Sequence, residues 1–171
     1  MACNLNSGWV LDCSDSQGGI EAIYMTNGPV DSITETAGNI TAITVAGSAL
    51  VPADWLKFET PRQTSSISET ITPSQENGTV TYQQDLTCIF NKMSADKRNE
   101  ILLMAQNQNL VVVAKDNNGT YWSIGIERGA YMTSGTSESG VSYQDRSGYT
   151  LVISGLEKAP MYTVSASIIE A

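Results

Sequence analysis

The chain has 171 residues, with 9 Lys+Arg against 18 Asp+Glu and a formal net charge of -9. It contains no histidine, which excludes a Ser-His-Asp triad, a Cys-His pair, an imidazole proton shuttle and a histidine-ligated zinc. Its 3 cysteines are too few for a four-cysteine zinc site or a dense disulfide framework, and the acid excess argues against a protein that grips nucleic acid through phosphate charge.

Residues 1–19 have little periodicity. Trp9, Val10 and Leu11 form one apolar knot between Ser7-Gly8 and Asp12-Cys13-Ser14-Asp15, and Gly18-Gly19 closes the segment. It reads either as a mobile terminus or as an N-terminal arm that orders against a neighbouring subunit, with Trp9 as its anchor. The opening Met1 to Asn6 is neither basic nor apolar, so the expectation is synthesis in the cytoplasm without a signal peptide, and Cys3, Cys13 and Cys88 as reduced thiols. Cys3 and Cys13 could still meet in a hairpin. Cys88 reads as a core residue.

From Ile20 the chain reads as strands over 20–26, 30–36 and 39–46, with Asn27-Gly28-Pro29 and Ala37-Gly38 as turns. Asp54 to Glu59 reads as a short strand or connector between Pro52 and Pro61. In residues 79–90, Val80, Tyr82, Leu86, Cys88 and Phe90 share one parity, and Thr79, Thr81, Gln83, Asp85 and Thr87 share the other. Side chains alternate along a strand, so this predicts one apolar and one polar face. A weaker alternation precedes it: Ile67, Glu69 and Ile71 oppose Ser66, Ser68, Thr70 and Thr72, and Pro73 to Gly78 turns the chain back. The pair is a long hairpin whose polar face needs water, a lumen or a partner.

One helix is expected at about 94–107. Ser94 is its N-cap, Asp96 suits its positive end, and Ile101, Leu102, Met104 and Ala105 form its apolar stripe, with Leu103 off the stripe. Leu110 to Ala114 is apolar on both faces, as a doubly buried strand must be. Asp116-Asn117-Asn118-Gly119 is a hairpin turn, and Trp122, Ile124 and Ile126 alternate in the returning strand. Residues 133–148 read as an exposed loop. Tyr149, Leu151 and Ile153 alternate next, Gly155 to Pro160 turns, and Tyr162, Val164, Ala166 and Ile168 alternate to the end. The expected fold class is mainly β, a single β-sandwich or half-open barrel over 20–171 with one helix.

No Gly-rich phosphate loop is present. Asp116 to Gly119 lacks the ligand alternation and closing Glu of a calcium loop. Glu69 and Asp85 are considered as a glycosidase pair and set aside for want of cleft aromatics. Asn39, Asn77 and Asn118 sit in glycosylation-type triplets that read as turns and strand starts. No apolar run approaches the roughly 20 residues of a membrane span. No enzyme activity, metal or cofactor is expected.

The order of elements, together with Asn109-Leu110-Val111-Val112-Val113-Ala114-Lys115-Asp116-Asn117-Asn118-Gly119-Thr120-Tyr121-Trp122, Arg128-Gly129-Ala130, Gly135 and Asp145-Arg146-Ser147-Gly148-Tyr149-Thr150-Leu151, resembles the tail tube proteins of long-tailed bacteriophages and contractile injection machines. The resemblance implies six-membered rings stacked into a hollow tube, with strands of all subunits joined around a lumen through which the genome passes. Loops and the N-terminal arm would tie ring to ring. It implies a virion tail protein assembled in the host cytoplasm, whose partners are its own copies, other tail proteins and double-stranded DNA in transit, with no membrane. Lumen-facing candidates are then Ser66, Ser68, Thr70, Thr72, Thr79, Thr81, Gln83 and Asp85. Inter-subunit candidates are Trp9, Leu103, Lys97, Arg98, Glu138, Asp145 and Arg146. An acidic or neutral lumen would let DNA slide, so Lys at Glu69 and Asp85 should slow genome release. Competing readings are a head-tail connector, a terminator ring or a capsid decoration protein, and a carbohydrate- or protein-binding sandwich using Trp55, Tyr121, Trp122, Tyr131, Tyr143 and Tyr149.

Overall fold

Five consecutive apolar residues, Leu110 to Ala114, organise the molecule. In the computed structural model, which describes residues 7–170, all five are buried. Leu110, Val112 and Ala114 point into one apolar cluster and Val111 and Val113 into another. A strand with two buried faces needs cover on both sides, and the rest of the fold supplies it.

That strand, β8 (Leu110–Asp116), lies inside an eight-stranded sheet. The order is β2 (Val30–Thr36), β3 (Asn39–Val45), β12 (Thr163–Val164), β9 (Tyr121–Ile124), β8, β1 (Ile20–Asn27) and β5 (Leu56–Glu59), with β4 (Ser48–Ala49) paired to β3. A second, four-stranded sheet has the order β10 (Tyr131–Glu138), β11 (Gly148–Glu157), β7 (Thr79–Asn91) and β6 (Ser66–Ser74). The fold is mainly β and sandwich-like, and no barrel closes among the described residues. Between the sheets pack Ile23, Val112 and Ile124 from the first and Leu86, Cys88, Leu151 and Ile153 from the second. On the outer face of the large sheet pack Ile40, Ile43, Trp55 and Ile168. A Cβ on Gly155, in β11, would stand 2.8 Å from Gly125 Cα, and one on Gly125, just after β9, would collide with Ala130 N, so neither position admits a side chain without a backbone shift.

Helix α1 (Ala95–Gln106) starts where Ser94 accepts a hydrogen bond from Lys97 N at 3.3 Å. Its expected stripe is corrected: Met104 is buried and Ile101 half-buried, whereas Leu102, Leu103 and Ala105 are exposed. The helix touches the sandwich along one narrow line, so only one residue per turn finds cover.

Three further expectations change. Residues 131–138 form β10 rather than loop, and only 139–147 is irregular. This strand is almost wholly exposed, so no apolar alternation marks it; pairing with β11 does. The expected last strand is two residues long and gives way to a second helix, α2 (Ala166–Ile169). Ile168 and Ile169 are both buried, which consecutive strand residues on one covered face cannot be. Finally, Ile126 lies beyond β9 and packs in the outer cluster, while Ile124 packs between the sheets. The C-terminal end is fixed by Glu170. It accepts hydrogen bonds from Tyr24 and from Tyr121, the latter at 2.8 Å, and pairs with Lys115 at 3.6 Å.

Candidate assembly surface

The register of the β6–β7 hairpin collects the predicted polar residues. Ser68 stands opposite Asp85, Thr70 opposite Gln83 and Thr72 opposite Thr81; Ser66 faces Thr87 and Thr79 faces Ser74. Directly opposed residues of an antiparallel pair share a face. All eight lumen candidates therefore lie on the outer side of the small sheet, away from the inter-sheet core. β11 extends this surface, with Ser154 opposite Asp85 and Val152 opposite Thr87. Asp85 is half-buried there, accepting from Ser154 Oγ at 2.5 Å and from Gln83 Nε2 at 3.0 Å.

The other face of the hairpin begins as core and ends without cover. Leu86 is 0% exposed, but Ile71 is 56% exposed and Val80 45%. β11 accompanies β7 only from Asn91 back to Tyr82, so the outer end of the hairpin projects past its neighbours. The expectation that Val80 is covered like Leu86 is thereby corrected. Glu69 is also on this inner side, accepting from Gln84 Nε2 at 3.3 Å and Met161 N at 2.8 Å. Glu69 and Asp85 face opposite ways, so they cannot flank one glycosidic bond, and a lumen argument can use only Asp85 of the two.

Both margins of the small sheet are open. Among the described residues, β6, 9 residues long, pairs with β7 alone, and β10, 8 residues long, pairs with β11 alone. Unpaired edges of this length are templates for another strand. Pro73 lacks an N–H and limits such pairing mainly to 66–72, and a bulge at Met132/Ser134 twists β10.

The inter-subunit candidates fall into two groups. Trp9 and Leu103 are exposed at 99% and 59%, and Glu138 ends the open strand β10. Arg98 is exposed and donates to Asn99 at 3.0 Å. The others serve their own chain. Lys97 donates to the Asn91 and Lys92 carbonyls. Asp145 accepts from Val141 N at 2.9 Å and Ser142 N at 2.7 Å, and the Ser142 and Val141 amides hold its carboxyl below the usual range. Arg146 donates to Tyr149 O at 3.2 Å and Thr150 Oγ1 at 2.8 Å. This bracing presents Val141 and Tyr143 fully to solvent at the loop tip.

Cys88 is a buried core thiol, pushed up to about 12 by desolvation, and Cys13 is exposed and makes no disulfide among the described residues. Cys3 and the first third of the arm lie outside the described residues. Glu157 is 2% exposed, and burial raises its carboxyl above the usual range; Oε1 accepts from Arg128 N at 3.0 Å, while Oε2 has no partner. The aromatics of the carbohydrate reading do not converge. Trp55 and Tyr121 are in the outer cluster, Tyr149 is between the sheets, and Tyr143 is at the loop tip. Among the described residues, no group of three or more His, Cys, Asp or Glu is arranged to hold a metal, and no helix is long and apolar enough to cross a membrane.

The sequence does not reveal the uncovered residues Ile71, Val80, Tyr131 and Leu156. Alternation marks a face but not where the opposing sheet stops.

No protein-family model and no curated protein matches the chain. A chain from the cryo-EM structure of the anti-feeding prophage baseplate, 6-fold symmetrised, aligns over 93% of this chain and 100% of its own, at 10% identity and a TM-score of 0.36. A likeness at that TM-score carries no argument about function.

Proposed function

We propose that this chain is a structural subunit that self-assembles side by side into rings, six-membered as in the tail tube proteins it resembles, which stack into a conduit for a phage genome. The observation that supports the reading is the small sheet. It has a Ser/Thr-lined outer face, two open margins and an apolar hairpin end left without cover. A lone globular domain has no use for this combination. A ring has a use for each part: β6 of one copy continues β10 of the next, the polar faces line a common lumen, and Ile71 and Val80 find cover on a neighbour. Joining the margins also removes the edges that would otherwise drive aggregation. A surface of hydroxyls with Asp85 among them offers a passing polyanion hydration and weak repulsion rather than binding sites.

Sedimentation velocity over a concentration series tests this. The reading expects mass to rise from monomer to a discrete ring or longer polymer, and loss of that rise when Ser68→Lys and Thr70→Lys crowd the β6 margin with charge. A chain that stays monomeric at every concentration contradicts it. A connector or terminator ring would give the ring without stacking.

A further inference from the structure

The large sheet has an open margin of its own. Among the described residues, β5 pairs with β1 and with no other strand. Leu56 and Phe58 share one face of β5, and Thr60 follows in the same parity. Two clefts run between this face and α1. The first, of about 370 Å³, takes its β5 wall from Leu56 and Phe58 and its helix wall from Leu103 and Met104. The second, of about 420 Å³, takes its β5 wall from Phe58 and Thr60 and its helix wall from Ile101 and Met104. Phe58, Glu100 and Met104 line both, so the two are neighbouring chambers of one groove.

The groove is apolar inside and acidic at its rim. Phe58 and Phe90 pack as a tilted pair with ring centroids 6.1 Å apart, and Tyr149 and Leu151, both buried, complete the second chamber. Leu56 and Leu103 are 57% and 59% exposed, so the first chamber lacks cover. Thr60 Oγ1 has no hydrogen-bond partner among the described residues. At the rim, Lys57 and Glu59 pair with each other at 3.6 Å, and Lys97 is spent on the Asn91 and Lys92 carbonyls. Asp96 and Glu100 are exposed and make no ion pair among the described residues. Like charges at i and i+4 of a helix repel, and a cation set between them relieves the repulsion.

We infer that this groove receives an extended segment of a different protein, which adds a strand to the β5 margin, places two bulky apolar side chains in the chambers and sets a Lys or Arg between Asp96 and Glu100. The chambers follow β5 at a two-residue step, about 7 Å, which is the spacing of alternate side chains on an added strand. Charge selects the occupant. Residues 1–56 contain no Lys or Arg, so the chain's own arm brings no cation to the rim. A second copy presenting the same margin would bring the same carboxylates face to face, on a chain of net charge -9. A margin of 4 residues that carries Lys57 and Glu59 does not hold an arbitrary strand by its ladder, so the chambers and the rim supply the selection. One such segment buries less than the roughly 1,200 Å² of a standard interface, so the contact is transient.

Fluorescence anisotropy of labelled peptides with the dilute full chain tests this. The probe alternates Phe or Leu with Thr and ends in Lys-Arg. One control sets the same apolar residues side by side, and another ends in Glu-Glu. The expected result is saturable binding of the probe, binding of both controls at least about tenfold weaker, and reversal of the charge preference in Glu100→Lys. Glu100 is exposed, so that variant keeps the core intact. Amide hydrogen exchange should slow at 56–59 when the probe binds and stay unchanged at the β6 and β10 margins. No binding, equal binding of the side-by-side control, a charge preference unmoved by Glu100→Lys, or protection at β6 or β10 would overturn the inference. Protection of 56–59 in the free chain that disappears in Trp9→Ser would assign the groove to the chain's own arm, and protection that grows with protein concentration would assign it to a second copy; either result overturns it too. The inference is independent of the ring reading, because it concerns a margin of the other sheet and is read on dilute protein.

Discussion

Leu86 and Ile71 lie on the same face of one hairpin, yet one is sealed and the other is not, so equivalent truncations should part company. Leu86 is 0% exposed between the sheets. Leu→Ala at such a site costs about 2–5 kcal/mol. Taking about 3 kcal/mol, and about 2–4 °C per kcal/mol for a chain of this size, the melting temperature of Leu86→Ala should fall about 6–12 °C. Ile71 is 56% exposed, so less than half of the ~1.5–3 kcal/mol for full burial of its side chain is at stake, about 1 kcal/mol or less. Ile71→Ala should melt within about 4 °C of the wild type. Assembly should order the two the other way. If a neighbouring copy covers the hairpin end, as the ring reading has it, Ile71→Ala should shift polymerisation to higher concentration, whereas Leu86→Ala should assemble normally well below its melting point. Differential scanning calorimetry on dilute protein and sedimentation at rising concentration read the two effects separately. Equal melting losses would mean that the hairpin end packs on its own core, and unaltered assembly of Ile71→Ala would mean that no neighbour covers it.

Four other outcomes are expected. The two tyrosine hydrogen bonds, Tyr24 first, lower the Glu170 pKa, so its stabilising contribution is present above the unfolded carboxylate range and disappears as pH falls through the depressed folded value; Glu170→Gln should lower the melting temperature at pH 7 and converge with wild type in acid. Glu157 has the reverse sign. Its raised folded pKa favours the protonated form, so Glu157→Gln should melt higher than wild type near neutral pH, with the gain gone below about pH 4. Gly155→Ala brings a Cβ within 2.8 Å of Gly125 Cα and should cost about 1–3 kcal/mol, visible as a lower denaturant midpoint at unchanged slope. In assembled material, Asp85→Lys should create salt-sensitive retention of double-stranded DNA that wild type lacks; equal fluorescence anisotropy of labelled DNA with both proteins would contradict a lumen position for Asp85.

Strand patterns are legible where cover is uniform along a face: the alternation of 82–90 and the polar row of 66–72 match the structure because one face is covered, and the unbroken apolar run 110–114 matches because both are. The helix was legible at its N-terminus, because Ser94 caps it locally, but not in its packing, because the number of covered helix faces depends on where the sheets end. β10 left no mark in the sequence, since an exposed edge strand of Ser, Thr and Gly is held by ladder bonds rather than burial. The closing turn of α2 was misread because Val164, Ala166 and Ile168 alternate by parity; buried Ile169 breaks that pattern. Of the candidate surface, membership of the polar face could be read from the sequence. The bracing roles of Lys97, Asp145 and Arg146 could not, since each depends on backbone groups brought near by folding.

Cryo-electron microscopy of the concentrated protein tests the central claim most directly. The account predicts rings or tubes in which β6 of each subunit pairs with β10 of the next and Ser68, Thr70, Gln83 and Asp85 face a hollow centre. Particles in which that polar face is turned outward, or in which the β6 and β10 margins stay unpaired, would contradict it.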